Sequence, residues 1–428
     1  MRIMRGRVLA SAALLLMGTA RAENNHQPYP IGPRASGMGG AYTALADDAA
    51  GVWYNPAAPS SSTAEQVSLS TSIYGFVGGV DRDALGKGLD YSYNNYNVIP
   101  TSVSTLVKLG KSRRWSFTIN LFTPGSYEIE GRATTNGANA TLFRSTSDKL
   151  LMVGAGFSYR INSRVAFGAV LYGIYHQYRS SFDLTDIVPL EGGGVDLLQF
   201  TQSEQQLNFG YTGAVGLRWE PTRRFFIGLA IRLPSGMISG SGESFRRFVS
   251  AIPSQNGLPE AATQSDDVTS RRILPARFSV GLGYQIPRRF AIGADVTMYM
   301  PHTYDAIYSD RAPELIREVR HQLTVNAALG IEGYLRPNWP LRLGAYTDFS
   351  SSPDPIIGVY EADKINLFGG TIAFGKVGEE NETVFGFIGA AGPTKVVGFD
   401  FEKGSYEPFV SEGVQWRLFL VYSGSFSI

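Results

Sequence analysis

Two-residue alternation of side-chain character is the feature that most constrains the fold of this chain. Apolar residues occupy every second position from Phe225 to Leu233, where they oppose Gly228 and Ala230, and the pattern recurs from residue 65 onward. Because successive side chains of a β-strand point to opposite faces, this period predicts strands with one apolar face. Abundant glycine, with 49 residues, and a charged fraction of only 18% agree with that prediction.

The alternation predicts fourteen strands whose connections are short and long in turn. The predicted strands span residues 65–77, 101–110, 114–123, 149–160, 164–181, 203–219, 224–233, 274–286, 289–300, 320–335, 340–350, 364–375, 382–391 and 413–424. Long loops are expected near 78–100, 124–148, 182–202, 234–273, 301–319, 351–363 and 392–412. Short turns on one side and long loops on the other predict an all-β fold, a 14-stranded antiparallel transmembrane β-barrel with both termini on the short-turn, periplasmic side.

The first 22 residues predict a secretory signal peptide, with a basic start at Arg2 and Arg5, an apolar stretch from Val8 to Met17 and small residues at its end. No later run approaches the roughly 20 apolar residues of a membrane-spanning helix. The chain has no cysteine, which excludes disulfides, a lipid-anchored N-terminus and thiol chemistry. Without the signal peptide, the chain has 34 basic and 37 acidic side chains, which gives a formal charge of −3. This charge does not favour nucleic-acid binding.

Residues 23–63 do not alternate, and we expect them to form an N-terminal hatch inside the barrel. Glycines near residue 40 permit a tight turn, residues 41–46 predict about two helical turns, and the acidic pair after them ends that helix. The chain then divides into a signal peptide (1–22), a hatch containing short helices (23–63) and a barrel (64–428). The hatch residues of interest are Arg34, Gly37, Gly39, Gly40, Asp47, Asp48, Asn55, Pro56 and Ala57.

Residues 32–58 resemble the hatch of the FadL family of outer-membrane transporters for long-chain fatty acids and other hydrophobic compounds. The matching pieces are the arginine-to-glycine run 34–40, the Ala-Asp-Asp-Ala segment 46–49 and the Asn-Pro-Ala triplet 55–57. The resemblance implies passive transport in the outer membrane, without a cofactor. The same motif is similar to that of PorV-type barrels, which serve protein secretion, so the motif indicates the superfamily better than the cargo.

Two departures from the family pattern stand out. Family members open sideways at a kink in the third strand, whereas residues 114–123 contain no glycine or proline, which argues against a lateral gate at that place. Outer-membrane barrels commonly end on an aromatic residue, whereas this chain ends Phe426-Ser427-Ile428.

Candidate sites for metal and for catalysis are weak. Asp47 and Asp48 are adjacent acids without further oxygen ligands nearby, an arrangement that more often braces a turn than binds a cation. His176 and His321 lie on predicted strands, but no Gly-x-Ser-x-Gly elbow accompanies them. The sequence therefore predicts neither a metal site nor an enzyme.

The fifth predicted strand is apolar on both faces at its middle, where a water-filled porin would carry charges in its lumen. This pattern indicates either an apolar pocket or packing against the hatch, and the sequence leaves both open. Arginine side chains that point inward from the outer halves of their strands are suited to bind a carboxylate head group. The candidate ligand-binding residues are Val170, Tyr172, Ile174, His176, Arg232 and Arg417.

Two hypotheses about function follow from these observations. The first is passive uptake of hydrophobic small molecules such as fatty acids, which enter an apolar pocket above the hatch and pass when the mature N-terminus rearranges. The second is a barrel for protein secretion or surface attachment that binds a partner through its loops. Both place the chain in the outer membrane, with membrane lipids and the barrel-assembly machinery as further partners and with no nucleic acid.

Overall fold

A computed structural model describes residues 24–62, 64–99, 102–134, 140–189, 194–251, 260–310, 316–357, 362–400 and 408–427. The predicted signal peptide, residues 1–22, lies outside these described residues. Over the same ranges, no helix has the length and apolar character needed to cross a membrane.

Within the described residues, three short helical turns precede twenty strand segments. Helix α1 is Pro33–Gly37, and 3₁₀ turns follow at Ala50–Trp53 and Ala58–Ser61. The strands are β1 (Gln66–Asp81), β2 (Tyr91–Ile99), β3 (Ser102–Leu109), β4 (Trp115–Thr134), β5 (Ala140–Arg160), β6 (Val165–Pro189), β7 (Val195–Trp219), β8 (Phe225–Arg232), β9 (Gly236–Ala251), β10 (Glu260–Ser270), β11 (Arg277–Ile286), β12 (Phe290–Tyr299), β13 (His302–Tyr308), β14 (Arg317–His321), β15 (Thr324–Arg336), β16 (Trp339–Asp348), β17 (Lys364–Ile365), β18 (Leu367–Val377), β19 (Asn381–Phe399) and β20 (Pro408–Ser427).

These segments form a closed antiparallel barrel of fourteen strands, which confirms the predicted fold class. Six barrel strands are interrupted, and each consists of two consecutive segments: β2 with β3, β8 with β9, β10 with β11, β12 with β13, β14 with β15, and β17 with β18. Closure comes from β1, which pairs with β3 on one side and with β20 on the other, where Gln66 lies opposite Ser427. Closure leaves no free sheet edge in the lipid, so the backbone groups find partners within the wall.

The alternation that predicted the strands separates the lipid face of the barrel from its lumen. Leu229 and Ile231 of β8 are exposed on the outside, whereas Ala230 and Arg232 between them are buried inside. Trp115, Trp219 and Trp339 are also exposed, each at a strand end near a short turn, as interfacial aromatic residues are.

The predicted long loops were mostly wrong. The segments expected as loops at 124–148 and 182–202 are continuations of β4 to β7, and β6 and β7 each extend over 25 residues. Strand β10 lies within the expected loop 234–273, and β2 within the expected loop 78–100. The outward residues of these extensions are mostly polar, and their apolar residues, such as Phe182, Leu184 and Phe200, face the lumen. They therefore lack the apolar outer face by which the other strands were predicted.

The third barrel strand, β4, also differs from its prediction. It continues to Thr134, and its pairing with β5 shifts register between Phe122 and Gly125, where Thr123 and Pro124 form a bulge. Proline has no amide hydrogen to donate to the ladder, so a bulge at this point is expected once Pro124 belongs to the strand. The sequence argument against a kink covered only residues 114–123, and the irregularity begins where that range ends.

The hatch runs through the lumen from the long-loop end to the short-turn end. The backbone N and the Oγ of Ser351, just beyond β16, both donate to Asn24 O at 2.9 Å. At the other end, β20 and β1 meet near the short turn that follows β3. Asn24 thus lies in the lumen near the long-loop end of β16, and the side of the membrane on which the two termini lie stays a prediction.

The helix expected over residues 41–46 is replaced by a single turn, in which Ala46 N donates to Tyr42 O. The amides of Tyr42 and Thr43 donate instead to Asp295 Oδ2 of β12, at 2.9 and 2.7 Å. The Asp295 carboxylate thus accepts hydrogen bonds from amide groups of the kind that lack a partner within the first turn of a helix. The helical turns of the hatch lie elsewhere, in α1 and the two 3₁₀ turns.

Candidate functional site

The Asn55-Pro56-Ala57 triplet lies against the wall formed by β6 and β7. Asn55 Nδ2 donates to Leu217 O of β7 and to Thr43 O of the hatch, both at 3.0 Å, and Asn55 Oδ1 accepts from Ala57 N at 3.0 Å. Pro56 contacts Gly168 and Gly216 so closely that no side chain would fit at either glycine. The triplet thus contacts both the wall and the hatch, and the effect of these contacts on transport stays a prediction.

Arg34 connects the hatch to the wall through a buried ion network. Its Nη1 lies 3.0 Å from Asp47 Oδ2 and its Nη2 lies 2.8 Å from Glu332 Oε1 of β15. Arg342 of β16 contacts the same Glu332 at 2.6 Å and also pairs with Glu382 of β19. Five charged groups therefore join the hatch to three segments of the wall.

The glycines of the hatch allow its backbone to touch the wall. Thr371 Oγ1 of β18 donates to Gly37 O at 2.8 Å and accepts from Gly39 N at 3.0 Å. Gly39 and Gly40 have φ angles of +62° and +81°, a region that side chains disfavour. The tight turn predicted from these residues is present and lies against β16 and β18.

Asp47 and Asp48 brace the hatch from within. The Tyr42 hydroxyl donates to both carboxylates, at 3.0 and 3.1 Å, and Asp48 Oδ1 accepts from Gly51 N at 2.6 Å. Asp47 also carries the ion pair with Arg34. In the described ranges, no three or more histidine, aspartate or glutamate side chains are arranged to hold a metal ion.

The candidate residues of the fifth barrel strand, β6, all face the lumen, and hatch packing accounts for part of this patch. Val170, Tyr172, Ile174 and His176 are each at most 6% exposed. Tyr172 packs edge-on against Trp53 of the hatch, with ring centroids 6.4 Å apart. Further along the strand, the ring nitrogens of His176 lie 3.0 Å from an oxygen of Asp148 and 3.1 Å from an amide nitrogen of Asn208, so this histidine is fully engaged.

Trp53 is the centre of an aromatic and cationic cluster in the lumen. Its ring lies 5.4 Å from the Phe122 ring, and the guanidinium carbons of Arg232 and Arg277 lie 5.4 and 5.1 Å from its centroid. Arg277 also donates to Trp53 O at 2.7 Å. In the part of the chain that the structure describes, neither arginine has an acidic side chain within ion-pair distance, and both Nε atoms, Trp53 Nε1 and the Tyr172 hydroxyl lack a hydrogen-bond partner.

Arg417, the other arginine singled out from the sequence, has an acidic neighbour. Its Nη1 lies 3.7 Å from Asp348 Oδ2, and both side chains are buried. The structure therefore separates Arg417 from the cluster at Trp53, to which Arg232 belongs.

A small, partly open cavity lies between the hatch and the wall formed by β11, β12, β15 and β16. Its lining includes Gln27 and Thr43 from the N-terminal part, and Arg277, Asp295 and Tyr299 from the wall. The cavity thus reaches the cationic cluster through Arg277. Closed barrel, internal hatch and lumenal cavity together define a plugged transmembrane channel.

Comparisons with known proteins agree with that class. The chain matches the family model described as outer membrane protein transport protein (OMPP1/FadL/TodX) over residues 33–356. The chain therefore belongs to this family of outer-membrane transporters of hydrophobic compounds, whose members are passive channels and not enzymes. No curated protein sequence matches the chain.

Solved structures share the fold at low sequence identity. The toluene transporter TodX of P. putida is 17% identical with a TM-score of 0.65, and the match covers 93% of this chain and 99% of that one. A FadL homologue of Pseudomonas aeruginosa is 12% identical with a TM-score of 0.65, covering 94% and 99%. The toluene transporter TbuX of Ralstonia pickettii is 14% identical with a TM-score of 0.60, covering 93% and 98%.

Sequence reasoning missed three residues of this site. Trp53 was seen only as part of the hatch motif, and Arg277, the partner of Arg232, was not singled out. The hydrogen bonds of Asp295 to the hatch backbone were likewise not predicted. The only available signal was that each wall residue falls on the inward face of its strand.

Proposed function

We propose that this barrel takes up hydrophobic carboxylic acids, such as long-chain fatty acids, by passive diffusion past a displaceable hatch. One observation carries the proposal: Arg232 and Arg277 are buried beside Trp53 without an acidic partner among the described residues. A buried charge without a partner is unfavourable, and a carboxylate is the group that a guanidinium binds in bidentate fashion. The anionic head of a cargo molecule would supply the missing partner.

The surroundings of the two arginines suit the rest of such a molecule. Trp53, Phe122 and Tyr172 present aromatic surface, and Val170 and Ile174 extend it along β6. Moving an acyl chain from water onto this surface would be favourable by about 0.8 kcal/mol for each CH₂ that becomes buried.

A charged head group distinguishes this proposal from the transport of plain hydrocarbons. Two of the structural neighbours are described as toluene transporters, and toluene carries no charge. The unpaired arginines favour an acid over a hydrocarbon for this chain. Asp295 lines the same cavity as Arg277, but no ion pair joins it to either arginine among the described residues, and its Oδ2 accepts two backbone hydrogen bonds from the hatch.

The remaining candidate residues have supporting roles in this proposal. His176 is held by Asp148 and Asn208, and it shapes the lumen above the cluster. Arg417 balances Asp348 near the mature N-terminus. The exposed apolar band of the barrel contacts outer-membrane lipids, and insertion depends on the barrel-assembly machinery.

The test compares two ligands of equal chain length, dodecanoate and 1-dodecanol, binding to the purified barrel. The Arg232→Gln/Arg277→Gln variant should bind dodecanoate about 10- to 100-fold more weakly, since hydrogen bonds to charged groups contribute about 1.5–3 kcal/mol. Its affinity for 1-dodecanol should stay unchanged. Arg320→Gln, which alters an exposed arginine beside Glu318, is the matched control.

Equal loss for both ligands would contradict the role of the arginines as a head-group site. Mass spectrometry of molecules extracted from the purified barrel tests the proposal independently, since it should detect bound hydrophobic acids. Extracts without any specific acid would support instead the PorV-like alternative, in which the loops bind a protein partner.

A further inference from the structure

Three neighbouring barrel strands are interrupted at the same level, near the long-loop end. The interruptions are residues 271–276 between β10 and β11, 300–301 between β12 and β13, and 322–323 between β14 and β15. Met300 N donates to Ala276 O at 2.9 Å, which holds the first two interruptions side by side. Pro275 and Pro301 have no amide hydrogen to donate to a ladder. The three interruptions therefore form a line along which the wall above can bend.

Beyond this line, β13 and β14 form a hairpin within the segment that the sequence predicted as a loop. We call this hairpin the flap and define it as His302–Tyr308 together with Arg317–His321. Its two strands pair with each other from His302 opposite His321 onward. The pairs Thr269 with Tyr308 and Ser270 with Ile307 connect β13 to the end of β10.

The apolar side chains of the flap pack mainly with one another. Tyr304, Ala306 and Val319 form a small buried cluster against Ile273, separate from the main apolar cluster of the lumen. A displacement of the flap as a unit would leave this cluster intact. Its packing therefore does not fix the flap to the facing side of the barrel.

A polar contact fixes the flap to the facing side of the barrel instead. Arg317, at the end of the flap away from the interruptions, places its Nη1 2.6 Å from Oε2 of Glu204 on β7. Its guanidinium carbon lies 5.7 Å from the ring centroid of Tyr178 on β6. Gln206 donates to the other oxygen of Glu204, and both Glu204 and Tyr178 are buried. We call the contact of Arg317 with Glu204 and Tyr178 the latch.

The position of the latch shows that the flap folds inward. Along the wall, Arg317 and Glu204 are four strand positions apart, through β13, β10 and β9. Neighbouring strands are about 4.8 Å apart, which gives roughly 19 Å between the two backbones along the wall. Because lumenal side chains point away from the wall and not along it, a direct contact requires the flap to bend over the lumen.

The opposite end of the flap is tied to the first residues of the hatch. His321 Nδ1 lies 2.7 Å from Ser351 Oγ, whose single hydrogen is donated to Asn24 O, so His321 is the donor in this pair. The His321 ring lies 5.3 Å from the ring of His26, which in turn lies 4.4 Å from the Tyr299 ring. Tyr299 lines the cavity that contains Arg277. The flap therefore lies above the route to the proposed head-group site.

We propose that the β13–β14 flap closes the lumen at the long-loop end and that cargo enters when the latch of Arg317 with Glu204 and Tyr178 opens. Arg317 and Glu204 are positioning residues in this scheme, since they hold the flap and do not bind cargo. The inference concerns the entry of hydrophobic compounds, and its dodecanoate measurement rests on the cargo proposed above.

The first test measures opening of the flap without any cargo. In the purified barrel, Ala306→Cys places a thiol on the inner face of the flap, where Ala306 is 4% exposed, and Thr303→Cys places one on its exposed outer face. We expect Glu204→Gln to speed maleimide labelling of Ala306→Cys at least about tenfold, since a hydrogen bond between charged groups is lost. Labelling of Thr303→Cys should stay unchanged. An unchanged labelling rate of Ala306→Cys would overturn the inference.

The second test closes the flap with a reversible cross-link, which is specific because the chain has no native cysteine. Glu204→Cys with Arg317→Cys is bridged by a short bis-methanethiosulfonate reagent, which spans the space that the two longer side chains occupied. The matched control is Thr303→Cys with Arg320→Cys, which are opposite each other in the hairpin, so that the same reagent bridges the flap only to itself.

Uptake of radiolabelled dodecanoate and of toluene is then measured in cells that express each variant. Before cross-linking, the variant at 204 and 317 should take up both probes faster than the unmodified barrel, because its latch is absent. Cross-linking should reduce its uptake at least about tenfold, and reduction should restore it, which a folding defect would not allow. The control should be unaffected. Full uptake of both probes by the cross-linked variant would contradict a closing role of the flap.

Toluene separates this inference from the proposed cargo. If cross-linking stops toluene uptake while dodecanoate does not bind the unmodified barrel, the flap is supported and the proposed cargo is wrong. If dodecanoate binds the unmodified barrel while the cross-linked variant keeps full uptake of both probes, the proposed cargo is supported and the flap is wrong.

Discussion

The side chain of Asn55 joins the hatch to the barrel wall by donating to the carbonyl oxygen of Leu217 at 3.0 Å. The same amide nitrogen donates to Thr43 O, and its oxygen accepts from Ala57 N. One buried side chain therefore fixes two turns of the hatch and one strand of the wall. Because its hydrogen-bonding groups are all used, no other residue of similar size reproduces the arrangement.

Asn55→Ala together with Pro56→Ala should loosen the hatch and leave the barrel folded. Loss of the Asn55 side chain leaves two carbonyl groups without their donor, which costs about 1–3 kcal/mol for each buried group. We expect cells with this variant to become leaky to small solutes, measured as antibiotic sensitivity, with heat-modifiable gel migration retained. Asn338→Ala, at an exposed short turn, is the control. Unchanged permeability and unchanged uptake would mean that the triplet only directs the chain into β1.

Glycines of the wall provide the space in which the hatch backbone lies. A Cβ atom at Gly216 would come within 2.1 Å of Asn55 Oδ1, and one at Gly228 within 2.2 Å of Thr43 O, whereas one at Gly389 would meet nothing within 4 Å. Gly216→Ala and Gly228→Ala should therefore displace the hatch, and Gly389→Ala should not. Limited proteolysis of the purified barrel should cut within residues 24–62 only in the first two variants. Equal protection of all three would show that the wall adjusts to the added methyl group.

The Tyr172 hydroxyl is buried without a hydrogen-bond partner among the described residues, close to Arg232 and Arg277. Tyr172→Phe removes that group and keeps the ring against Trp53. If the hydroxyl binds the cargo head group, the variant should bind dodecanoate up to about tenfold more weakly, by the roughly 0.5–1.5 kcal/mol of a neutral hydrogen bond. Thermal stability should be equal or higher, since an unsatisfied buried hydroxyl is lost. Unchanged affinity would restrict Tyr172 to packing against the hatch.

Those parts of the fold that face lipid could be predicted from the sequence. Lipid imposes an apolar residue at every second position, as in Leu229 and Ile231, and this period is visible in the sequence alone. Above the apolar band, the outward residues of β6 and β7 are mostly polar and their apolar residues, such as Phe182 and Phe200, face inward, so the apolar lipid face that identifies the other strands is missing. The strand count was therefore right while the loop lengths were wrong.

The candidate site was predictable only where a local motif specifies it. Asn55, Pro56 and Ala57 act within one turn, so their contact with the wall could be expected. Asp295 and the amide of Thr43 are separated by about 250 residues, and only the closed barrel brings them together.

Arg34 and Glu332 provide the last prediction, since they form a buried ion pair between hatch and wall. Removing one partner of a buried pair costs about 3–5 kcal/mol, because the other charge stays buried. In Arg34→Gln, Glu332 still contacts Arg342, whereas in Glu332→Gln both Arg34 and Arg342 lose their shared carboxylate. We therefore expect Glu332→Gln to expose residues 24–62 to protease more than Arg34→Gln does. A double-mutant cycle in proteolysis rates should give a coupling of at least about 1 kcal/mol, as expected for residues in direct contact. Additive effects of the two substitutions would show that Arg34 is held mainly by Asp47, and that the wall contributes little to keeping the hatch in place.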